Sequence, residues 1–273
     1  MKHITVITPK KLWGTVFREW WDYREVLVLL GWRDVILQYR QTIVGVLWVL
    51  IRPLLTVAIF TLVFHKIAGF SAGNVPYALV VLSGMLVWQF FADTFSYGSG
   101  SFLANVNLIS KVYFPRIMLP ASRLLCSSID FVIVLGVYLV IAIIKYKAVP
   151  SITAIFILPL FFLWLGLLSL SAAVFFGSLV VRFRDFKHVI PFLVQIGFYC
   201  TPVAFSLSMI PQKYRILLAL NPLTGIIAGF RYAFLQESLP SDVLSVSLVV
   251  TILLMGAALS YYKKAERLFA DFI

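Results

Sequence analysis

Charged residues are scarce in this chain. They make up 12% of its 273 residues, against about 25% in ordinary soluble domains, while hydrophobic residues make up 62%. Several apolar runs exceed the roughly 18 residues that cross a bilayer core. This composition excludes an ordinary soluble domain. It predicts an all-α polytopic membrane protein, because helices satisfy their backbone hydrogen bonds internally.

Cysteine and histidine are also rare. The two cysteines, Cys126 and Cys200, lie in apolar runs, which favours small buried side chains over a disulfide. The three histidines are too scattered to form a ligand set, so we predict no metal site. The sequence has no phosphate loop of the Gly-x-x-x-x-Gly-Lys-Ser/Thr type and no common protease or hydrolase motif, which disfavours an ATPase or an enzyme.

Six apolar runs predict six transmembrane helices, at 44–67, 77–97, 121–144, 152–180, 189–205 and 243–262. Most of the 23 Lys and Arg residues fall in the N-terminal region, two loops between these spans and the C-terminal tail. The positive-inside bias therefore places these regions, with both termini, in the cytoplasm. The net charge of +12 is explained by this bias rather than by nucleic-acid binding.

The N-terminal region, residues 1–43, is predicted to lie at the cytoplasmic membrane surface. Apolar residues in 10–24 form one helical stripe with three Trp, which is typical of an amphipathic helix in the interface. Residues 26–37 are interrupted by Arg33 and Asp34, so we expect them to continue this surface collar rather than to span.

The segment 206–241 is apolar in its middle but is broken at Asn221 and Pro222 and interrupted by Arg231. It is too short to cross twice, and a single crossing would place the basic tail outside. We therefore predict a pair of short re-entrant helices between spans 5 and 6, with Arg231 anchoring that element.

Charges within spans are costly and mark functional hypotheses. Arg52 either extends to the cytoplasmic headgroups or faces an anionic ligand such as a pyrophosphate. Asp93 is interpreted as the partner of a basic residue, and Asp130 as facing protein. An intramembrane enzyme that uses these two carboxylates is a rival interpretation.

Aromatic residues within spans form a second candidate set, because aromatic faces stack on sugar rings without demanding one hydroxyl pattern. The alternative for each is core or lipid-facing packing. With Arg52, the predicted substrate-channel residues are Trp48, Trp88, Phe91, Phe95, Phe198 and Tyr199.

Five stretches together resemble ABC-2-type polysaccharide export permeases, most closely those of O-antigen lipopolysaccharide exporters. They are QYRQTIVGVLWVLIRPLL (38–55), NVNLISKVYFPRIMLP (105–120), RDFKHVIPFLVQIGFYCTPVAF (184–205), NPLTGIIAGFRYAFL (221–235) and AERLFADFI (265–273). The resemblance implies one transmembrane domain over 1–273. It also implies a homodimeric channel in the bacterial inner membrane and two separate ATPase subunits, which carry the ATP and Mg.

The resemblance further assigns roles to two segments. The loop 98–120 would hold a coupling helix near 99–110 that contacts the ATPase, and 206–241 would form a periplasmic gate that includes Asn221, Pro222 and Arg231. The coupling residues implied are Asn105, Leu108, Ile109, Lys111, Tyr113, Phe114 and Arg116.

The substrate implied by the resemblance is an undecaprenyl-pyrophosphate-linked polysaccharide moved from cytosol to periplasm. Capsule, teichoic-acid and drug exporters of the same superfamily are alternatives within transport. A channel or ion-coupled carrier, which would depend on ion gradients and not on ATP, is another.

Overall fold

The computed structural model describes residues 21–40, 47–69, 75–147 and 152–272, and within these ranges the regular elements are all helical. The elements are α1 (Arg24–Tyr39), α2 (Leu47–Phe60) continuing as a π-helix (Thr61–Ile67), α3 (Tyr77–Ala104), α4 (Val106–Lys111), α5 (Met118–Tyr146), α6 (Ala154–Arg182), α7 (Phe186–Cys200), a 3-10 turn (Leu207–Met209), α8 (Gln212–Ala219), α9 (Pro222–Leu235) and α10 (Ser241–Phe272).

Five helical segments are long and apolar enough to cross a membrane. They are Leu47–Ile67, Tyr77–Ala104, Met118–Tyr146, Ala154–Arg182 and Ser241–Glu266. These segments overlap the first four predicted spans and the last one. The prediction of an all-α chain with several apolar spans is therefore confirmed for the described ranges.

α3 is the central helix of the fold. Its side chains from Leu79 to Trp88 are almost all buried, and it packs against α5, α6 and α9. A Cβ atom added at Gly98 would lie 2.9 Å from the Cβ of Ala173 on α6, closer than real Cβ contacts come. Small residues thus let α6 approach the C-terminal half of α3.

α3 also extends further than the sequence predicted. The expected loop began at residue 98, but the helix continues to Ala104. The hydroxyl groups of Ser99 and Ser101 donate to the carbonyl oxygens of Ser96 and Gly98, at 3.0 and 2.6 Å. Because these polar groups are satisfied within the helix, they can be buried against α6 without ending it.

The fifth predicted span, 189–205, has wrong boundaries. α7 runs from Phe186 to Cys200, and its 15 residues extend only about 22 Å at ~1.5 Å per residue. That length is less than the ~30 Å of a hydrocarbon core. The backbone becomes extended at Thr201, so a crossing by this helix stays a prediction.

The segment 206–241 contains two short helices, α8 and α9, which are bent by 113° relative to each other. The break has a local cause. The side chain of Asn221 accepts a hydrogen bond from the backbone N–H of Leu223 at 3.1 Å, and Pro222 occupies the first turn of α9. That the pair enters the membrane from the outer face stays a prediction.

The predicted surface region 1–43 is described only in part. Most of the amphipathic helix 10–24 lies outside the described residues. α1 packs beside the beginning of α5. Asp34 bonds to Ser122, and Gln38, one turn later in α1, bonds to Asp130, which lies later in α5. The two helices therefore run side by side in the same direction. A position of α1 in the membrane interface stays a prediction.

Candidate functional site

A cavity of about 230 Å³ lies where α1 ends, between α2, α3 and α5. Its wall combines aromatic and aliphatic side chains with a compact polar set. The polar and charged residues on which its chemistry depends are Tyr39, Arg52, Gln89, Asp93, Arg123 and Asp130.

Arg52 lies on an exposed face of α2 at the wall of this cavity. Its guanidinium carbon is 5.9 Å from the ring centre of Trp48, one helical turn earlier. This distance is within the range of cation–π contacts. The side chain is thus placed where an anion entering the cavity would meet it, and its role as a ligand stays a prediction.

The two carboxylates of the cavity already have hydrogen-bond donors. Asp130 accepts a hydrogen bond from Gln38 Nε2 at 2.9 Å and a second from the hydroxyl of Tyr39. Asp93 accepts one from Gln89 Nε2 at 2.8 Å. The expectation that Asp130 faces protein agrees with this geometry, whereas the hydrogen-bond donor to Asp93 is a glutamine rather than a basic residue.

Burial and the hydrogen bond to Asp130 raise the pKa of Tyr39 well above its ordinary value. The hydroxyl of Tyr39 donates to Asp130 and holds the end of α1 against α5.

Arg123 is the second cation of the cavity wall. Its guanidinium carbon lies 4.6 Å from the ring centre of Tyr97 on α3. Its Nε atom is buried and has no hydrogen-bond partner among the described residues. A buried donor without a partner is unfavourable. Because this atom has almost no accessible surface, a ligand in the cavity would bind Nε only after the Arg123 side chain turns toward the cavity.

The predicted channel aromatics fall into two groups. Trp88, Phe91, Phe95 and Phe198 form one contact series, with ring-centre distances of 5.6 Å for Trp88–Phe198 and for Phe91–Phe95 and 5.9 Å for Trp88–Phe91. Trp88 and Phe95 are only 5% and 4% exposed, so in this conformation they pack in the core. Tyr199 and Trp48 are exposed, the latter at the cavity.

The predicted coupling segment is a short helix with a buried and an exposed side. α4 begins at Val106, later than the predicted residue 99, because α3 takes up the residues before it. Leu108 and Ile109 are partly buried and pack on an apolar cluster with Phe102 and Tyr262. At the other side, Lys111 and Tyr113 are exposed.

Two residues after α4 fix this segment to the helix bundle. Phe114 is 5% exposed and belongs to the same apolar cluster. Arg116 Nη1 donates a hydrogen bond to the carbonyl oxygen of Glu266 at 2.9 Å. Phe114 and Arg116 lie in the stretch that leads into α5, the helix at the third predicted span. The structure adds a direct connection to α10, near the C-terminal end of the chain.

The predicted gate residues Asn221 and Arg231 each bond to the segment that follows α7, Asn221 from the beginning of α9 and Arg231 from near its end. Asn221 Nδ2 donates to the hydroxyl of Thr201 at 2.7 Å, just after α7 ends. Arg231 is 1% exposed, and its guanidinium donates to backbone carbonyl groups of α3 and of the segment after α7. This arrangement agrees with the interpretation of Arg231 as an anchor.

Both cysteines are free. Cys126 is buried and its thiol donates to Gln38 Oε1 at 3.2 Å. Cys200 is exposed at the end of α7, so the expectation of a buried side chain is wrong there.

The sequence interpretation missed the polar contacts between α1 and α5. Two residues of α1, Asp34 and Gln38, bond to Ser122 and Asp130 of α5. Tyr39 also bonds to Asp130 at the cavity, and Arg33 bonds to Asp34 and Asn105. The available signal was the pair Arg33-Asp34 inside the apolar run 26–37. Because buried charges require partners, this pair also indicates a polar contact with a neighbouring element.

A family model described as ABC-2 type transporter matches residues 25–235 of this chain. The match includes the cavity, the coupling segment and the helices around Arg231.

The chain is also similar to curated transport proteins over most of its length. The O-antigen export system permease protein RfbA of Klebsiella pneumoniae is 27% identical over 249 residues, which cover 91% of this chain and 95% of the relative. The protein of the same description from Myxococcus xanthus is 28% identical over 259 residues, covering 94% and 98%. The polysialic acid transport protein KpsM of Escherichia coli is 23% identical over 238 residues, covering 83% and 89%.

Proposed function

Because the chain belongs to the ABC-2 type transporter family, we propose that it is the membrane-spanning permease of an ATP-driven exporter of O-antigen polysaccharide. The observation that carries this proposal is the similarity, over more than nine-tenths of the chain, to permeases named for O-antigen export in two species. In this proposal the chain is a transporter subunit and not an enzyme.

The proposed exporter contains two copies of this chain and two ATPase subunits in the bacterial inner membrane. The sequence has no phosphate loop, so ATP and Mg would be held by the ATPase subunits. The exposed side of the coupling segment, with Lys111 and Tyr113, supports a docking position for the ATPase. Both ends of the chain would then lie in the cytoplasm, where most Lys and Arg residues are expected.

The proposed cargo is a polysaccharide joined to undecaprenyl pyrophosphate. Arg52 and Arg123 at the cavity wall would hold the pyrophosphate, because guanidinium groups match phosphate oxygens in two-bond geometry. Asp93 and Asp130 also line the cavity, and the hydrogen bonds that they accept come from neutral side chains. The two guanidinium groups would therefore have to outweigh these carboxylates when they bind the pyrophosphate.

The polymer would follow the aromatic series from the cavity. The ring of Trp88 on α3 contacts the ring of Phe198 on α7. In the single chain, Ile190 is the only buried residue of α7. A movement of α7 away from α3, driven by closure of the ATPase subunits, would expose Trp88 and Phe91 to the sugar rings. The nearby gate helices α8 and α9 would limit passage at the outer side.

The test is export in cells. The chain is depleted in its native host, and surface polysaccharide and cytoplasmic lipid-linked polymer are measured. We expect the surface polymer to disappear and lipid-linked polymer to accumulate inside, with recovery on expression of the intact chain. Unchanged surface polysaccharide on depletion would contradict the proposal.

Capsule export is the second candidate. It is favoured by the similarity to polysialic acid and capsule export proteins, at 23% and 22% identity. Chemical analysis of the accumulated polymer separates the two. O-antigen units support the first candidate, and capsular repeat units support the second.

A further inference from the structure

Asp34 on α1 is a buried carboxylate that faces two guanidinium groups. Its side chain accepts a hydrogen bond from Arg33 Nη2 at 2.9 Å and another from the hydroxyl of Ser122 at 3.1 Å. Arg123 Nη1 lies 3.7 Å from the same carboxylate. Asp34 is 6% exposed. Burial of a carboxylate at this depth is costly without such partners.

One of these guanidinium groups reaches the coupling segment. Arg33 Nη2 also donates to Asn105 Oδ1 at 3.1 Å. Asn105 is the residue between α3 and α4, and its Nδ2 donates to the carbonyl oxygen of Ser101 at 2.9 Å. A change in the position of α4 therefore moves the Asn105 oxygen that accepts the hydrogen bond from Arg33.

The other guanidinium group belongs to the cavity. Arg123 lies at the cavity wall, where its Nε has no hydrogen-bond partner among the described residues. An anion that binds Arg123 would compete with Asp34 for its guanidinium. Occupancy of the cavity therefore changes the charge balance around Asp34.

α1 and the start of α5 are held together closely enough to transmit such a change. A Cβ atom added at Gly31 would lie 3.1 Å from Leu125 Cδ1, so glycine allows the two helices to touch beside Asp34. Further along, Gln38 Nε2 donates to Asp130 at 2.9 Å. The polar contacts of Asp34 are thus held between fixed helices.

We propose that Asp34 is a positioning residue that links the coupling segment to the cavity. Its carboxylate holds Arg33 against Asn105 on one side and Arg123 at the cavity wall on the other. Pyrophosphate in the cavity and the position of α4 under the ATPase then bias each other. This inference rests on the proposed export function and adds the residues through which cargo and ATPase communicate.

The test is a mutant cycle between two residues for which the structure shows no direct contact, Asn105 and Arg123. Asn105→Ala, Arg123→Gln and the double variant are made with native Asp34 and again with Asp34→Asn. Each is purified as the full complex with its ATPase and placed in nanodiscs. The apparent KM for undecaprenyl pyrophosphate in stimulating ATP hydrolysis, and the kcat, are measured separately.

With native Asp34, the double variant Asn105→Ala/Arg123→Gln should change the apparent KM by a factor that differs about fivefold or more from the product of the two single changes. This is the usual size of coupling between sites. With Asp34→Asn, the two effects should become additive. Additive effects in both backgrounds overturn the proposal, as does a parent complex that does not respond to the lipid. Coupling that survives Asp34→Asn also overturns it, since a path along α3 through Tyr97 would then be responsible.

Glu25→Gln is the matched control, because it removes a carboxylate from an exposed position of the same helix. It should leave the non-additivity unchanged. If Asp34→Asn prevents assembly, Arg33→Gln replaces it, since that side chain is 38% exposed and its loss breaks the same link. Retained coupling in Arg33→Gln overturns the proposal. A complex that exports polysaccharide while showing additive effects contradicts this inference and leaves the proposed function standing.

Discussion

Arg231 on α9 donates a hydrogen bond to the carbonyl oxygen of Val80 on α3, at 3.0 Å. The same guanidinium donates to the carbonyl oxygens of Pro202, Val203 and Phe205, at 2.8 to 3.0 Å. These three carbonyl groups lie in the irregular segment after α7, outside any helix. One buried side chain therefore joins α3, α9 and the irregular segment after α7.

Arg231→Gln is expected to destabilise the chain strongly. The shorter amide cannot satisfy all of these carbonyl groups, and each buried group left without a donor costs about 1–3 kcal/mol. The apparent melting temperature of the solubilised protein should fall by several degrees. Lys213→Gln, an exposed change on neighbouring α8, is the control and should have little effect. An Arg231→Gln protein as stable as the parent would contradict the anchoring role.

Arg52→Gln is expected to weaken cargo binding without unfolding the chain, because Arg52 is exposed at the cavity wall. Hydrogen bonds to charged groups contribute ~1.5–3 kcal/mol, so the apparent KM for undecaprenyl pyrophosphate should rise about tenfold or more. Arg52→Lys should recover part of the affinity, since the charge remains but the two-bond geometry is lost. Lys187→Gln, an exposed change in the first turn of α7, should leave the KM unchanged. An equal effect there would refute a local role for Arg52.

Phe114 and Tyr113 are neighbours with different expected roles. Phe114→Ala removes a ring from the apolar cluster under α4, and such changes cost about 3–5 kcal/mol. Tyr113→Ala changes a side chain that is 56% exposed and should keep most of the stability. Co-purification of the ATPase should fall in Tyr113→Ala while the chain remains folded. Full ATPase binding by Tyr113→Ala would contradict its place at the docking surface.

The Tyr39–Asp130 contact predicts a loss of stability at high pH. Burial and Asp130 raise the pKa of Tyr39 in the folded chain, so the unfolded chain loses this proton first, near its ordinary pKa of about 10. The contribution of this contact to the free energy of unfolding is therefore complete below about pH 10. It is lost as the pH rises toward the pKa of Tyr39 in the folded chain. Melting temperatures measured from pH 8 to 11 should fall less steeply for Tyr39→Phe than for the parent. Parallel curves would show that Tyr39 does not titrate in this way.

The sequence predicted the apolar helices well, since long uninterrupted apolar runs have few other folded states. It failed at the ends of α3 and α7. Ser99 and Gly98 read as loop residues, yet their small size suits close packing on α6, a tertiary effect that a local pattern does not contain. In contrast, the break at Asn221 and Pro222 was found because its cause is local.

The candidate site was only partly predictable. Arg52 and Asp130 were found because charges are rare in spans, but Gln38, which bonds to Asp130, comes from α1, and Arg123 comes from a different helix than Arg52. Which helices meet at the cavity depends on packing. For the same reason, the burial of Trp88 could not be separated from a channel position by spacing alone.

The central claim is tested most directly with the purified complex of this chain and its ATPase in proteoliposomes. Lipid-linked polysaccharide is supplied on the ATPase side, and polymer on the opposite side is measured with ATP and with a non-hydrolysable analogue. We predict a two-plus-two complex that moves the polymer only when ATP is hydrolysed. A chain that binds no ATPase, or polymer movement that follows an ion gradient without ATP, would contradict the account.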